Sequence, residues 1–165
     1  SCEMIAREVK LGLVSLLLIV AQTQLMRFLS LEGITPDILM IWVVYIALTS
    51  GQTHGMIWGF ATGLMFDLVT GNFIGLSALT KTVCGFVAGY FFNENKTPFT
   101  LKSYRFVIIV LVVSLLHNTI YFVIFTQGTD ISFIRAVFQF GVATALYTSI
   151  LTLLPMFRFA RKYQG

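Results

Sequence analysis

The sequence predicts an all-α integral membrane protein: a bundle of six transmembrane helices with the N- and C-termini on the cytoplasmic side. Three observations predict it. First, 57% of the 165 residues are hydrophobic and only 11% are charged, whereas about a quarter of a soluble chain is charged; the mean hydropathy is +0.87. Second, the apolar residues gather in blocks of about 17 to 21, the length of a helix crossing a ~30 Å hydrocarbon core, rather than the alternating ~10-residue segments of an outer-membrane barrel. Third, the basic residues divide unequally between the two sides that six spans would create.

The first block, 11–28, follows Arg7 and Lys10 and could imitate a signal peptide, but no small-residue cleavage site comes after it, so it reads as a span. The second, 38–50, opens after Pro36 and Asp37. Asp37 fits an N-terminal cap and first-turn anion, and Pro36 ends the loop before it. This helix is short, and only Ser50 to Gly55 separates it from the third block, 55–70. The two predict a tight hairpin, with one long broken helix over 38–70 as the alternative. Gly71 to Gly75 then turns the chain into the fourth block, 76–92, and the fifth and sixth follow at 106–125 and 136–154. The longest connection, Asn93 to Arg105, is too short to fold alone, so residues 1–165 read as one polytopic membrane domain.

With an inside N-terminus, the inside flanks hold Arg7, Lys10, Lys96, Lys102, Arg105, Arg158, Arg161 and Lys162, and the outside flanks only Arg27 and Arg135. Cytoplasmic loops retain Lys and Arg, so both termini are placed inside. The net charge of +4 is thereby explained without a nucleic-acid partner. Cys2 and Cys84 form no framework or metal motif, and neither His54 nor His117 has a second ligand at helical spacing. No nucleophile elbow, phosphate loop or paired catalytic group stands in the sequence. The expectation is a protein that is not an enzyme and has no cofactor.

The polar and small residues inside the blocks carry what specificity there is. Between Gly51 and Gly75 every fourth residue is glycine, at 51, 55, 59, 63, 71 and 75, except for Asp67. Glycines at this spacing let helix backbones approach closely in lipid. The stripe can pack within the bundle, as can Gly85 and Gly89 on the fourth helix, or it can receive a partner's helix. Asp67 near the end of the third helix and Lys81 near the start of the fourth fall at similar counted depth, which suggests an ion pair fixing the hairpin; an Asp67 cap on the loop with Lys81 reaching outward is the alternative. His117, Asn118, Gln22, Gln24 and Gln139 read as interhelical hydrogen-bonding residues that set register.

These features together resemble a known family. Pro36 followed by Asp37, Tyr45 eight residues on, G-x-x-x-G-F at Gly55 to Phe60, G-L-x-x-D-L at Gly63 to Leu68, G-x-x-x-G-L at Gly71 to Leu76, and the Gly85 and Gly89 pair resemble the rod shape-determining protein MreD. The match is detailed over helices two to four, with Ile46 where the family often has tryptophan after the tyrosine. The resemblance implies a non-enzymatic inner-membrane scaffold of the bacterial elongation machinery. Its partners would be MreC most directly, then RodA, a class B penicillin-binding protein and MreB, together with membrane lipids. It implies no catalytic residues; what carries over is Pro36, Asp37, Tyr45, Gly59, Gly63, Asp67, Gly71 and Gly75, to which the residue pattern adds Gly55 and Lys81. MreD in turn looks like the substrate-binding S component of energy-coupling-factor vitamin transporters, the alternative function. S components usually carry Ala-x-x-x-Ala in the first helix, and here that helix has only Ala21.

Overall fold

The computed structural model describes residues 2–28, 37–71, 74–93, 95, 100–101, 103–125 and 133–162, and all of its regular structure there is helical. The helices are α1 (Cys2–Phe28), α2 (Ile38–Ser50), α3 (Gln52–Thr70), α4 (Leu76–Gly89), α5 (Tyr104–Phe125) and a last helical run made of α6 (Phe133–Ala136), a π-helical turn (Val137–Gly141) and α7 (Val142–Lys162). Pro36, Lys96 and Lys102 lie outside the described residues.

Helix α2 is apolar all round because it sits in the middle. Leu39, Met40, Val43, Val44, Ile46, Ala47 and Leu48 are all buried, as expected of a helix covered on every side. Met40, Val44, Ala47 and Leu48 join Cys84 and Ala88 of α4, Phe106, Ile109, Val110 and Val113 of α5 and Met156 of α7 in one core. Tyr45 stacks between Trp42 and Phe159, with ring centroids 5.4 Å apart on each side, and so ties α2 to α7.

A single residue, Gly51, separates α2 from α3, and its φ of +97° reverses the chain. The broken-helix alternative is thereby replaced by a hairpin, packed where Gly55 meets Ala47. Several ends differ from the apolar blocks. Helix α1 starts nine residues before Leu11, because its polar first turns pack on α3: Trp58 Nε1 donates to Glu8 at 3.1 Å and Arg7 lies 3.3 Å from His54 Nε2. Helix α4 ends at Gly89, not residue 92, as Tyr90, Phe91 and Phe92 form tighter bonds to the carbonyls three residues back. The last run continues past residue 154 and carries Pro155 inside it.

Two described stretches, Tyr104–Ile124 and Val142–Lys162, are long and apolar enough to cross a membrane on their own. At 13 and 14 residues, α2 and α4 are about 20 Å long, shorter than a ~30 Å core.

Candidate functional site

The glycine stripe is a contact between two helices of this chain. A Cβ on Gly59 would stand 2.5 Å from the Lys81 carbonyl oxygen, and one on Gly63 2.5 Å from that of Ser77, while Gly55 meets the Gly85 carbonyl at 3.0 Å. Each step of four along α3 is thus a step of four back along α4, an antiparallel contact so close that only hydrogen fits between the backbones. Gly89 extends it against Gln52. The face carrying Gly55, Gly59 and Gly63 is covered by α4 and is closed to another protein's helix.

Gly71 and Gly75 have a different task. Nothing lies within 4 Å of a Cβ built on either, and their φ values are +71° and +98°. Gly71 ends α3 in the left-handed conformation, its N–H bonding to the Asp67 carbonyl at 3.0 Å, and Gly75 opens α4. They are glycines because of backbone conformation, not packing.

The expected Asp67 to Lys81 pair does not form. Asp67 is fully buried, and its Oδ2 accepts from the backbone N–H groups of Gly75 and Ser77, both at 3.0 Å. It therefore caps α4 from a neighbouring helix, satisfying donors that a helix start leaves unpaired. Its Oδ1 has no hydrogen-bond partner among the described residues. The miss has a geometric cause. Gly63 already stands against Ser77, so the seven remaining residues of α3 run about 10 Å past the first turn of α4. Asp67 is level with the turn, whereas Lys81 is level with Gly59, two turns away.

Lys81 instead belongs to a buried polar chain that crosses the bundle. Its Nζ donates to Asp37 Oδ2 at 3.0 Å, with the lysine side chain 3% and the aspartate 20% exposed. The same Nζ lies 3.5 Å from His117 Nε2, whose Nδ1 is 3.3 Å from Asn118 Oδ1. Asn118 Nδ2 donates to the Gly141 carbonyl at 2.8 Å, on the π-helical turn. An ammonium offers only donors, so His117 Nε2 accepts and its Nδ1–H points to Asn118, leaving the amide free to donate onward. Lys81 thus donates to both sides, to Asp37 on one and through His117 and Asn118 toward the Gly141 carbonyl on the other.

Asp37 also organises the start of α2, in the N-cap position expected of it. Its Oδ1 accepts from Met40 N–H at 3.1 Å, Gln22 of α1 accepts from Ile38 N–H at 2.9 Å, and Thr148 of α7 accepts from Asp37 N–H at 3.0 Å. Helices α1, α2, α4, α5 and α7 and the π-helical turn thus meet around one ion pair. Spacing does not reveal this pair, because in sequence Asp37 reads only as the cap of α2; in the fold it begins α2 at the same end of the bundle where Lys81 enters α4. Among the candidate register residues, Gln22, His117 and Asn118 lie in this chain; Gln24 is exposed, and Gln139 accepts from Arg135 at 3.2 Å on the surface.

Chemically the chain holds helices together. Among the described residues no group of three His, Cys, Asp or Glu side chains could hold a metal ion. At the N-terminal ends of α1 and α3, Glu8 gathers Arg7, His54 and Trp58. Burial is the largest single influence and raises its carboxyl, but the hydrogen bonds from Arg7 and Trp58 together with the nearby charges of His54 and Arg7 outweigh it and hold the group below the usual carboxylate range.

The family model described as rod shape-determining protein MreD matches residues 5–163. No curated protein and no solved structure matches the chain.

Proposed function

The chain belongs to the MreD family of rod shape-determining proteins, and from that premise we propose that it is a non-enzymatic scaffold of the cell-elongation complex that binds MreC. The family is a membrane family with a role in cell shape. In the proposed arrangement one polytopic domain crosses the bacterial inner membrane six times, both termini are cytoplasmic, and RodA, a class B penicillin-binding protein and MreB belong to the wider assembly. The short helices α2 and α4 would span with the help of the turns and caps at their ends, surrounded by longer neighbours.

The observation that carries the reading is where the specific residues act. Gly55, Gly59, Gly63, Asp67 and Lys81 are spent on internal packing, capping and pairing, which supports a scaffold. Its outward surface is apolar, with Leu13, Leu17, Ile57, Ile108, Ile150 and Leu154 all at least half exposed, and MreC's membrane segment has that surface to bind.

Co-purification tests this directly. The protein solubilised with MreC should retain it through size-exclusion chromatography, and depletion should convert rods to spheres. Cells that keep their rod shape, or an MreC that elutes separately, would sink the reading.

A further inference from the structure

Helix α3 carries a second face, turned to α1, that is built in the opposite manner to the glycine face. Between the two helices runs an open groove of about 340 Å³, lined by Val9, Gly12, Leu16 and Ile19 of α1 and by Trp58, Ala61 and Met65 of α3. The two hydroxyls beside it are already engaged. Ser15 donates to the Leu11 carbonyl at 2.7 Å and accepts from Trp42 Nε1 at 2.8 Å, and Thr62 donates to the Trp58 carbonyl at 2.7 Å. The groove therefore offers an occupant no hydrogen bond along its length and suits a hydrocarbon.

Its extent narrows the choice. From Val9 to Ile19 is ten residues, about 15 Å of helix, or half of a ~30 Å hydrocarbon core. A partner's transmembrane helix needs the whole thickness; an acyl chain needs one leaflet. The groove also has a marked end. At its Val9 end the Trp58 indole turns its N–H to Glu8, the posture of an aromatic residue at the membrane–water boundary. His54, one turn before Trp58, and Arg7 stand there too, 3.3 Å apart. The Arg7 side chain is 52% exposed, and its fork has more donors than Glu8 and His54 use. Lys10 follows within a turn of Arg7, exposed and without an ion pair among the described residues.

We propose that this groove holds one acyl chain of a phospholipid, with the lipid phosphate on the Arg7 guanidinium. The site rests on the membrane-spanning reading above and adds a ligand to it. Glu8 faces the same mouth, and its charge is met by Arg7, so the phosphate approaches from the exposed side of the guanidinium, where Lys10 adds a second cation. Basic pockets between helices on the cytoplasmic side are where anionic head groups are held.

Native mass spectrometry of the full chain in detergent tests it, with phosphatidylglycerol and a diacylglycerol of the same chains as probes. The wild type should retain one phosphatidylglycerol through delipidation. Arg7→Gln, on an exposed side chain that does not endanger the fold, should weaken phosphatidylglycerol roughly ten-fold, the worth of one charged hydrogen bond, and leave diacylglycerol unchanged. Ala61→Phe, which fills the groove, should remove both. A wild type that retains no lipid, equal binding of phosphatidylglycerol by the Arg7 variant, or displacement of the lipid by MreC's membrane segment would overturn the site. MreC retention measured in the same preparations separates the two readings: MreC bound without lipid removes only the lipid site, and lipid bound without MreC removes only the scaffold.

Discussion

Asp37 and Asp67 are both carboxylates withdrawn from solvent near ends of helices, and they are stabilised in two different ways. Asp37 meets a charge: its Oδ2 receives the Lys81 ammonium at 3.0 Å. Among the described residues Asp67 meets dipoles, two backbone N–H groups at the start of α4. A carboxylate in a membrane is costly unless something answers it. An ion pair answers it by binding two distant helices, whereas a helix start answers it locally, across one turn. The first is a global tie and the second a local clamp.

That contrast predicts unequal damage. Lys81→Met should have the largest effect, since it strands the largely buried carboxylate of Asp37 and leaves His117 without its donor; losses of up to about 3–5 kcal/mol accompany such half-broken pairs, read as unfolding free energy in mixed micelles. A loss no larger than that of an Asp67 variant would erase the distinction. Next comes Gly63→Leu. The side chain would push Ser77 away from α3 and draw the start of α4 off its Asp67 cap, an overpacking cost of about 1–3 kcal/mol; thermal unfolding unchanged from wild type would refute the close approach of α3 and α4. Asp67→Ala should cost about 1–2 kcal/mol, as lost caps do, with faster amide exchange confined to the first turn of α4. The smallest effect sharpens the comparison most: Asp67→Asn and Lys81→Met should add independently within about 0.5 kcal/mol, whereas Asp37→Asn should partly rescue Lys81→Met. Rescue by Asp67→Asn instead would restore the pairing that counted depth suggested.

The legible and illegible parts of the molecule divide along a physical line. Asp37 as a cap was readable because capping is local: the residue stands directly before an apolar run. The glycine spacing likewise announced a close helix contact. Gly71 and Gly75 were readable as a turn because they follow the third apolar block; what spacing could not say was whether Gly55, Gly59 and Gly63 pack inside the bundle or against a partner's helix, since both need the same small residues. The Lys81 partner was hidden for a different reason. Counting residues from helix ends assumes that paired helices start level, and α3 overruns α4. The contact of Trp58 with Glu8 joins residues fifty positions apart, and no periodicity reports that.

The π-helical turn Val137–Gly141 has a consequence for comparing relatives. It holds one residue more per turn than the α-helices on either side, so residues before and after it are out of phase by one position, about 100° around the axis. A relative with a regular helix here can superpose on this chain only if its alignment carries a one-residue gap within that turn. Without the gap, either Arg135 or Thr148 would be matched to a position on the wrong side of the helix. Because the turn's Gly141 carbonyl accepts from Asn118, a relative that has lost the extra residue should also have changed its counterpart of Asn118.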